Sequence, residues 1–197
     1  MIRELHEHDR QEVLAFFLAL GESDRYRRFG RVMADMALEG YLARLDWSEC
    51  VMLGAYDAHA HLVGLLELAR IRGGACEIAV VVAGTHRGRG LGTALMDRAL
   101  LKAKVHGCER VVLLCQVDNE PMRRLARSAG LSASTEDGEV EGRLELPQAA
   151  LADVTEDATR DTIGNATYAA LLASRALAEL FQNALRTTAR AVAPQYR

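Results

Sequence analysis

Residues 80–93, VVVAGTHRGRGLGT, pass from an unbroken apolar run through a basic, glycine-rich loop into a helix-forming segment. A strand apolar on both faces must lie inside a sheet covered on both sides, so the chain needs layers of helix around a central sheet. Glycines let the backbone turn sharply and approach a ligand closely. A helix start adds unpaired N–H groups and the positive end of a dipole. The loop therefore suits a phosphate or pyrophosphate, with Arg87 and Arg89 adding positive charge. Two familiar loops are excluded by spacing. Thr93 stands where a dinucleotide fingerprint has its last glycine, and no Gly-Lys-Ser/Thr of a P-loop occurs.

The remaining pattern supplies the layers. Ile2–His6 reads as a strand, and Asp9 as the cap of a helix reaching Leu20, with Glu12 in the capping-box position. The stretch from Ser23 to Phe29 is basic and aromatic, and Met33–Leu45 has helical spacing. Val51–Tyr56, His61–Ala69 and Cys76–Val82 read as strands, and Gly90–Val105 as a helix whose apolar stripe is interrupted by Arg98 and Lys102. Then follow a central strand, Arg110–Val117, a short helix, Asn119–Ala129, and a hairpin of Leu131–Thr135 with Glu139–Leu146 around Asp137-Gly138. Beyond Pro147 alanine dominates. Asp157–Ala191 suits one long helix or two, with Gly164 as the break and Leu172, Ala176, Leu180 and Ala184 on one face. The expected division is a domain over residues 1–146 and a helical extension over 147–197.

With 197 residues, 50% of them apolar, and a net charge of −3, the chain has ample core and too little positive charge for a nucleic-acid protein held by charge. No segment reads as a membrane span, and Leu14–Leu20 is too short and too charged in its flanks for a signal peptide. The expectation is a soluble, cytoplasmic protein. Cys50, Cys76, Cys108 and Cys115 form no Cys-x-x-Cys pair and read as core thiols, so no metal is expected.

The run Arg87-x-x-Gly90-x-Gly92 after a strand resembles the acetyl-CoA-binding motif of the GNAT superfamily of N-acetyltransferases. Asn119-Glu120-Pro121-Met122 and Leu125 to Leu131 follow the next strand as the later cofactor-side helix does in that family, with Leu131 in place of a Phe. Ile2-Arg3, Asp9 and Arg28-Phe29 look like the opening of the branch containing bacterial protein-lysine acetyltransferases. The resemblance covers residues 1–146. It implies an α/β (α+β) fold: a mixed, mostly antiparallel central sheet splayed at two parallel strands, flanked by helices, with the C-terminal helical extension outside the pattern. Acetyl-CoA would lie in the splay. The backbone of Val80 and Val82 would pair with the pantetheine amides, and the N–H groups of Arg87, Gly88, Arg89, Gly90, Leu91, Gly92 and Thr93 would hold the pyrophosphate. Asn119 would sit near the pantetheine arm, or serve as a helix cap, or both.

Many members of the family place a tyrosine acid seven residues after the helix-opening Asn; here that position is Ala126. Glu77 is the one acid in its strand, and apolar neighbours can raise a carboxyl towards the working pH of a base. In the branch that the chain resembles, a Glu there looks like the general base; otherwise Glu77 pairs with Arg70 or Arg72 or faces solvent. The reading is direct transfer of an acetyl group to a primary amine, such as a protein lysine, without an acetyl-Cys115 intermediate. The alternatives are a small-molecule amine acceptor and a catalytically silent acetyl-CoA sensor. Acidic Glu22, Asp24, Glu136, Asp137 and Glu139 would suit a cationic acceptor. The apolar tail helix needs a cover, and is expected to join two chains as a homodimer rather than fold back on the domain.

Overall fold

The computed structural model describes residues 1–136 and 138–192, and the side chains of 184–192 and of Glu136 are left aside. The expected Asp137 turn residue and the Ala184 side chain thus lie outside the described residues. The chain forms β1 (Ile2–Leu5), α1 (Arg10–Ala19), α2 (Glu22–Phe29), α3 (Asp35–Arg44), β2 (Cys50–Tyr56), β3 (Leu62–Arg70), β4 (Ala75–Val82) and α4 (Leu91–Val105). It continues through β5 (Arg110–Gln116), α5 (Glu120–Ser128), β6 (Ser132–Glu136), β7 (Glu139–Glu145) and α6 (Leu151–Val192). The seven strands make one sheet in the order β1-β2-β3-β4-β5-β7-β6. Every neighbouring pair is antiparallel except β4 and β5. The expected mixed sheet, with helices on both faces and a C-terminal helix, is what forms.

Period-two alternation distributes β4 between two cores. Cys76, Ile78 and Val80 pack with Leu95, Met96 and Ala99 of α4, while Val81 joins Phe17 of α1 and Leu38 and Leu42 of α3 on the opposite face. Helix α2 falls in the basic, aromatic stretch that the sequence left unassigned. It is strongly charged, ends at Gly30 with φ +68°, and buries no residue fully.

Asp9 does not cap α1. Its carboxylate takes two bonds from Arg3, at 2.7 and 3.1 Å, and one from the His6 amide at 2.9 Å. Glu12 likewise turns to the Tyr56 hydroxyl at 2.8 Å instead of closing a capping box. A buried guanidinium outcompetes a helix end for these acids, because leaving it unpaired costs far more than a lost cap.

The cysteines are not all free thiols. Cys76 and Cys108 form a disulfide joining the start of β4 to the turn before β5, while Cys50 and Cys115 remain free. Both bonded residues are separately buried in the α4-side core, which is why their surroundings read as core positions.

Helix α6 is a single 42-residue helix with no break at Gly164. A Cβ at Gly164 would lie 2.4 Å from the Ile2 carbonyl oxygen, so glycine is needed for α6 to press against β1. The first half of α6 therefore does fold back on the domain. The two charges that interrupted the α4 stripe explain how. Arg98 pairs with Asp157 and, at 2.6 Å, with Asp161, while Lys102 reaches Asp161 at 2.6 Å and Glu4 at 2.5 Å. From residue 172 to 183 every residue is exposed. Among the described residues no helix is long and apolar enough to cross a membrane, and no group of three or more His, Cys, Asp or Glu forms a metal site.

Candidate active site

The parallel pairing of β4 with β5 runs from Ala75↔Arg110 to Ile78↔Leu113 and goes no further, although β4 stays paired with β3 as far as Val82↔Gly64. Beyond Ile78 the two strands part. A cleft of about 540 Å³ opens there, lined by Val80, Val82 and the turn into α4 on one side and by Asn119, Met122 and Leu125 on the other.

The turn is built by glycine. Gly88 and Gly90 have φ of +72° and +78°, and a Cβ at Gly84, Gly88 or Gly90 would meet nothing within 4 Å. The loop is thus left-handed in its backbone and open on its ligand side. Ala94 is the first α4 residue bonded back along the helix axis, to the Gly90 carbonyl at 3.0 Å. The amides of Leu91, Gly92 and Thr93 precede it, in the turn where N–H groups have no helical acceptor. That cradle fits a pyrophosphate.

Of the residues singled out from sequence, Val80, Val82, Arg87, Gly88, Gly90, Leu91, Gly92, Thr93 and Asn119 line this cleft. Arg89 is exposed and Glu77 half-buried, and neither lines it. The Arg87 side chain turns away from the helix start. Its Nε donates to the Val82 carbonyl at 3.0 Å, and its Nη2 meets Asp24 of α2 at 2.5 Å, spanning the cleft mouth. Asn119 is buried and caps α5, its Oδ1 accepting from the Met122 amide at 3.3 Å. Ala126 packs in the core beside Gly142 rather than on the cleft, so this helix carries no acid there.

One group escaped the sequence reading. Glu67 of β3 is buried, and its Oε2 accepts from Arg28 Nη2 at 2.5 Å and from the Tyr41 hydroxyl. The Arg28 guanidinium lies 4.7 Å from the Phe29 ring centre and lines the cleft. Burial, with Glu67 nearby, pushes the Tyr41 phenol up, so it stays protonated and donates. The register Glu67↔Ala79 and Ala69↔Glu77 puts the two glutamates on one sheet face at diagonal positions, roughly 7–8 Å apart for such a pair. The signal that singled out Glu77, a lone acid in an apolar strand, was equally present at Glu67 in Leu62–Ala69.

The free thiols are poor nucleophiles. Burial pushes Cys50 up to about 12 and also raises Cys115, which disfavours the thiolate.

Comparison with known proteins bears on the whole site. Residues 15–131 match the family described as acetyltransferase (GNAT) family. No curated protein is significantly similar in sequence. Among solved structures, the GNAT domain of S. lividans PAT superposes with a TM-score of 0.64 at 21% identity, covering 74% of this chain and 89% of that one. A putative acetyltransferase from Acinetobacter baylyi gives 0.63 at 16%, covering 76% and 94%. A spermidine N-acetyltransferase chimera from Vibrio cholerae and hSSAT gives 0.56 at 21%, covering 74% and 96%. At these identities the superpositions speak for the fold.

Proposed function

Because the chain belongs to the GNAT family of acetyltransferases, we propose that it transfers acetyl from acetyl-CoA directly to a primary amine, a protein lysine in first place, with Glu77 as general base. The observation that carries this reading is the glycine-built turn at the mouth of the β4–β5 divergence. Bound acetyl-CoA supplies an activated thioester carbonyl for the amine to attack.

The protein's own groups divide the work. The amides from Gly88 to Thr93 hold the pyrophosphate, aided by the α4 dipole, the Arg87 amide being given to the Gly84 carbonyl at 3.4 Å. The β4 edge at Val80 and Val82 pairs with the pantetheine amides, as a strand would. The Val82 carbonyl has a second lone pair left beside its Arg87 bond. Capping occupies Asn119 Oδ1, so its contact with the arm falls to Nδ2. A lysine amine is almost wholly protonated at pH 7, and attack needs it neutral. Glu77, on the sheet face across from the α4 core and outside the cleft lining, takes that proton through a water. We place the reaction in the cytoplasm and take the enzyme to act as a homodimer joined through α6.

The test is mass-spectrometric detection of acetyl transfer to lysine peptides, polyamines and small amino compounds with acetyl-CoA. Transfer to lysine peptides is expected. Transfer confined to a polyamine or amino compound would replace the protein acceptor, and acetyl-CoA binding without transfer to any of them would contradict the reading.

A further inference from the structure

Helix α6 carries two faces of different kinds. The face that docks on the domain holds Asp157, Asp161, Gly164, Tyr168 and Leu171, the positions at which its exposure falls. At roughly 100° per residue, the seven charges between Leu151 and Phe181 (Asp153, Glu156, Asp157, Arg160, Asp161, Arg175 and Glu179) all fall on or beside that face. The opposite half of the helix carries only Glu156, at its edge, over about 45 Å. It presents Leu151, Ile163, Leu177, Leu180 and Phe181, from 59% to 82% exposed, among alanines and threonines. The threonines are apolar there too. Thr155, Thr159 and Thr162 donate their hydroxyls to the carbonyls of Leu151, Thr155 and Ala158, at 2.8–2.9 Å, which leaves their methyls outward.

Because this apolar face points away from its own domain, only another molecule can cover it. We propose that it is covered by α6 of a second copy of this chain, packed antiparallel about a two-fold axis between Ala166 and Ala170. In that register Leu177 faces Thr159, while Phe181 lies diagonally across from Thr155 and Ile163 from Ala173, large against small, and Leu180 meets Glu156 at the edge. The receiving half already shows the matching shape, a shallow depression lined by Leu151, Ala152, Thr155, Glu156, Thr159 and Arg160. Its charged rim is neutralised internally, Arg160 meeting Glu156 at 2.5 Å. A third of the surface of a 45 Å helix is on the order of 500 Å² per copy, about 1,000 Å² over both, the size at which a specific interface begins.

The inference rests on the homodimer reading above, to which it gives a register, and is read by molar mass, whatever the activity. Sedimentation of the full chain at micromolar concentration is expected to give a dimer. Thr159→Lys and Leu177→Glu, both at exposed positions, should each weaken it at least about tenfold. Together they should restore it, since the register sets each new lysine against the other copy's new glutamate. Circular dichroism confirms that each variant is folded. A monomeric wild type, a dimer indifferent to either single variant, or a double variant without recovery would overturn the proposal. So would a monomer that pellets with phosphatidylserine vesicles, which would make the face a lipid-binding one.

Discussion

Glu67 and Glu77 share a sheet face across β3 and β4, yet their surroundings set them to different tasks. Glu67 is enclosed by Arg28 and Tyr41, so its charge is spent on a buried cation at the edge of the cleft. Among the described residues Glu77 makes no ion pair, with Arg70 or Arg72 or any other cation, and Arg70 instead donates to the His106 carbonyl at 2.5 Å. It is to this unpaired carboxylate that the proposed reaction gives the role of base. Removing Glu67 would leave Arg28 buried without its counter-charge, a loss of about 3–5 kcal/mol. A denaturant midpoint of Glu67→Ala measured against Tyr41→Phe, which forgoes one charge-assisted bond at about 1.5–3 kcal/mol, should rank them in that order. Equal midpoints would mean that Arg28 finds another partner. The sequence made Glu77 legible and hid Glu67 because what distinguishes them is the partner brought by α2 and α3, and partners separated by 39 and 26 positions leave no local trace.

At the scale of elements, the glycine-rich turn was readable because its conformation is locally encoded: φ above zero at Gly88 and Gly90 demands residues without a Cβ. Strands β2 to β5 were readable for the same reason, through period-two and continuous apolar runs. Helix α2 was not, because it buries no residue fully and so has no apolar stripe to betray it. Arg98 and Lys102 were visible only as flaws in α4, since the acids that complete them lie some sixty residues onward in α6. The cluster makes a direct prediction. Asp157→Ala leaves buried Arg98 with Asp161 as its remaining acid and should lower stability by about 3 kcal/mol, with earlier loss of amide protection in α6 by hydrogen exchange. Protection unchanged in α6 would mean that its hold on the domain lies in the Gly164 contact with β1 instead.

For the whole molecule, the fold sets the site at the one place where two neighbouring strands run parallel and then part. Helix α4 and the turn before it build one wall of that opening and α5 another, and in the proposed reaction the layer of α1 to α3 borders the acceptor. The Cys76–Cys108 disulfide, spanning 32 positions, ties β4 to the turn before β5 just below the splay. It was illegible in a sequence without paired spacing, because cysteine partners are chosen by the sheet register and not by distance along the chain. Helix α6 extends the α4-side layer over β1 and then leaves the domain. The sequence showed that it needed a cover but not that its first half would fold back on the domain.

The central claim is that Glu77 serves the chemistry while the glycine turn serves the cofactor. Its most direct measurement compares wild type with Glu77→Gln, titrating acetyl-CoA into each by calorimetry and following acetyl transfer to the best acceptor by mass spectrometry. The account predicts acetyl-CoA affinity within about twofold and turnover lower by about 10²–10⁴, the range that general bases supply. Turnover by Glu77→Gln equal to wild type, with cofactor binding intact, would contradict it.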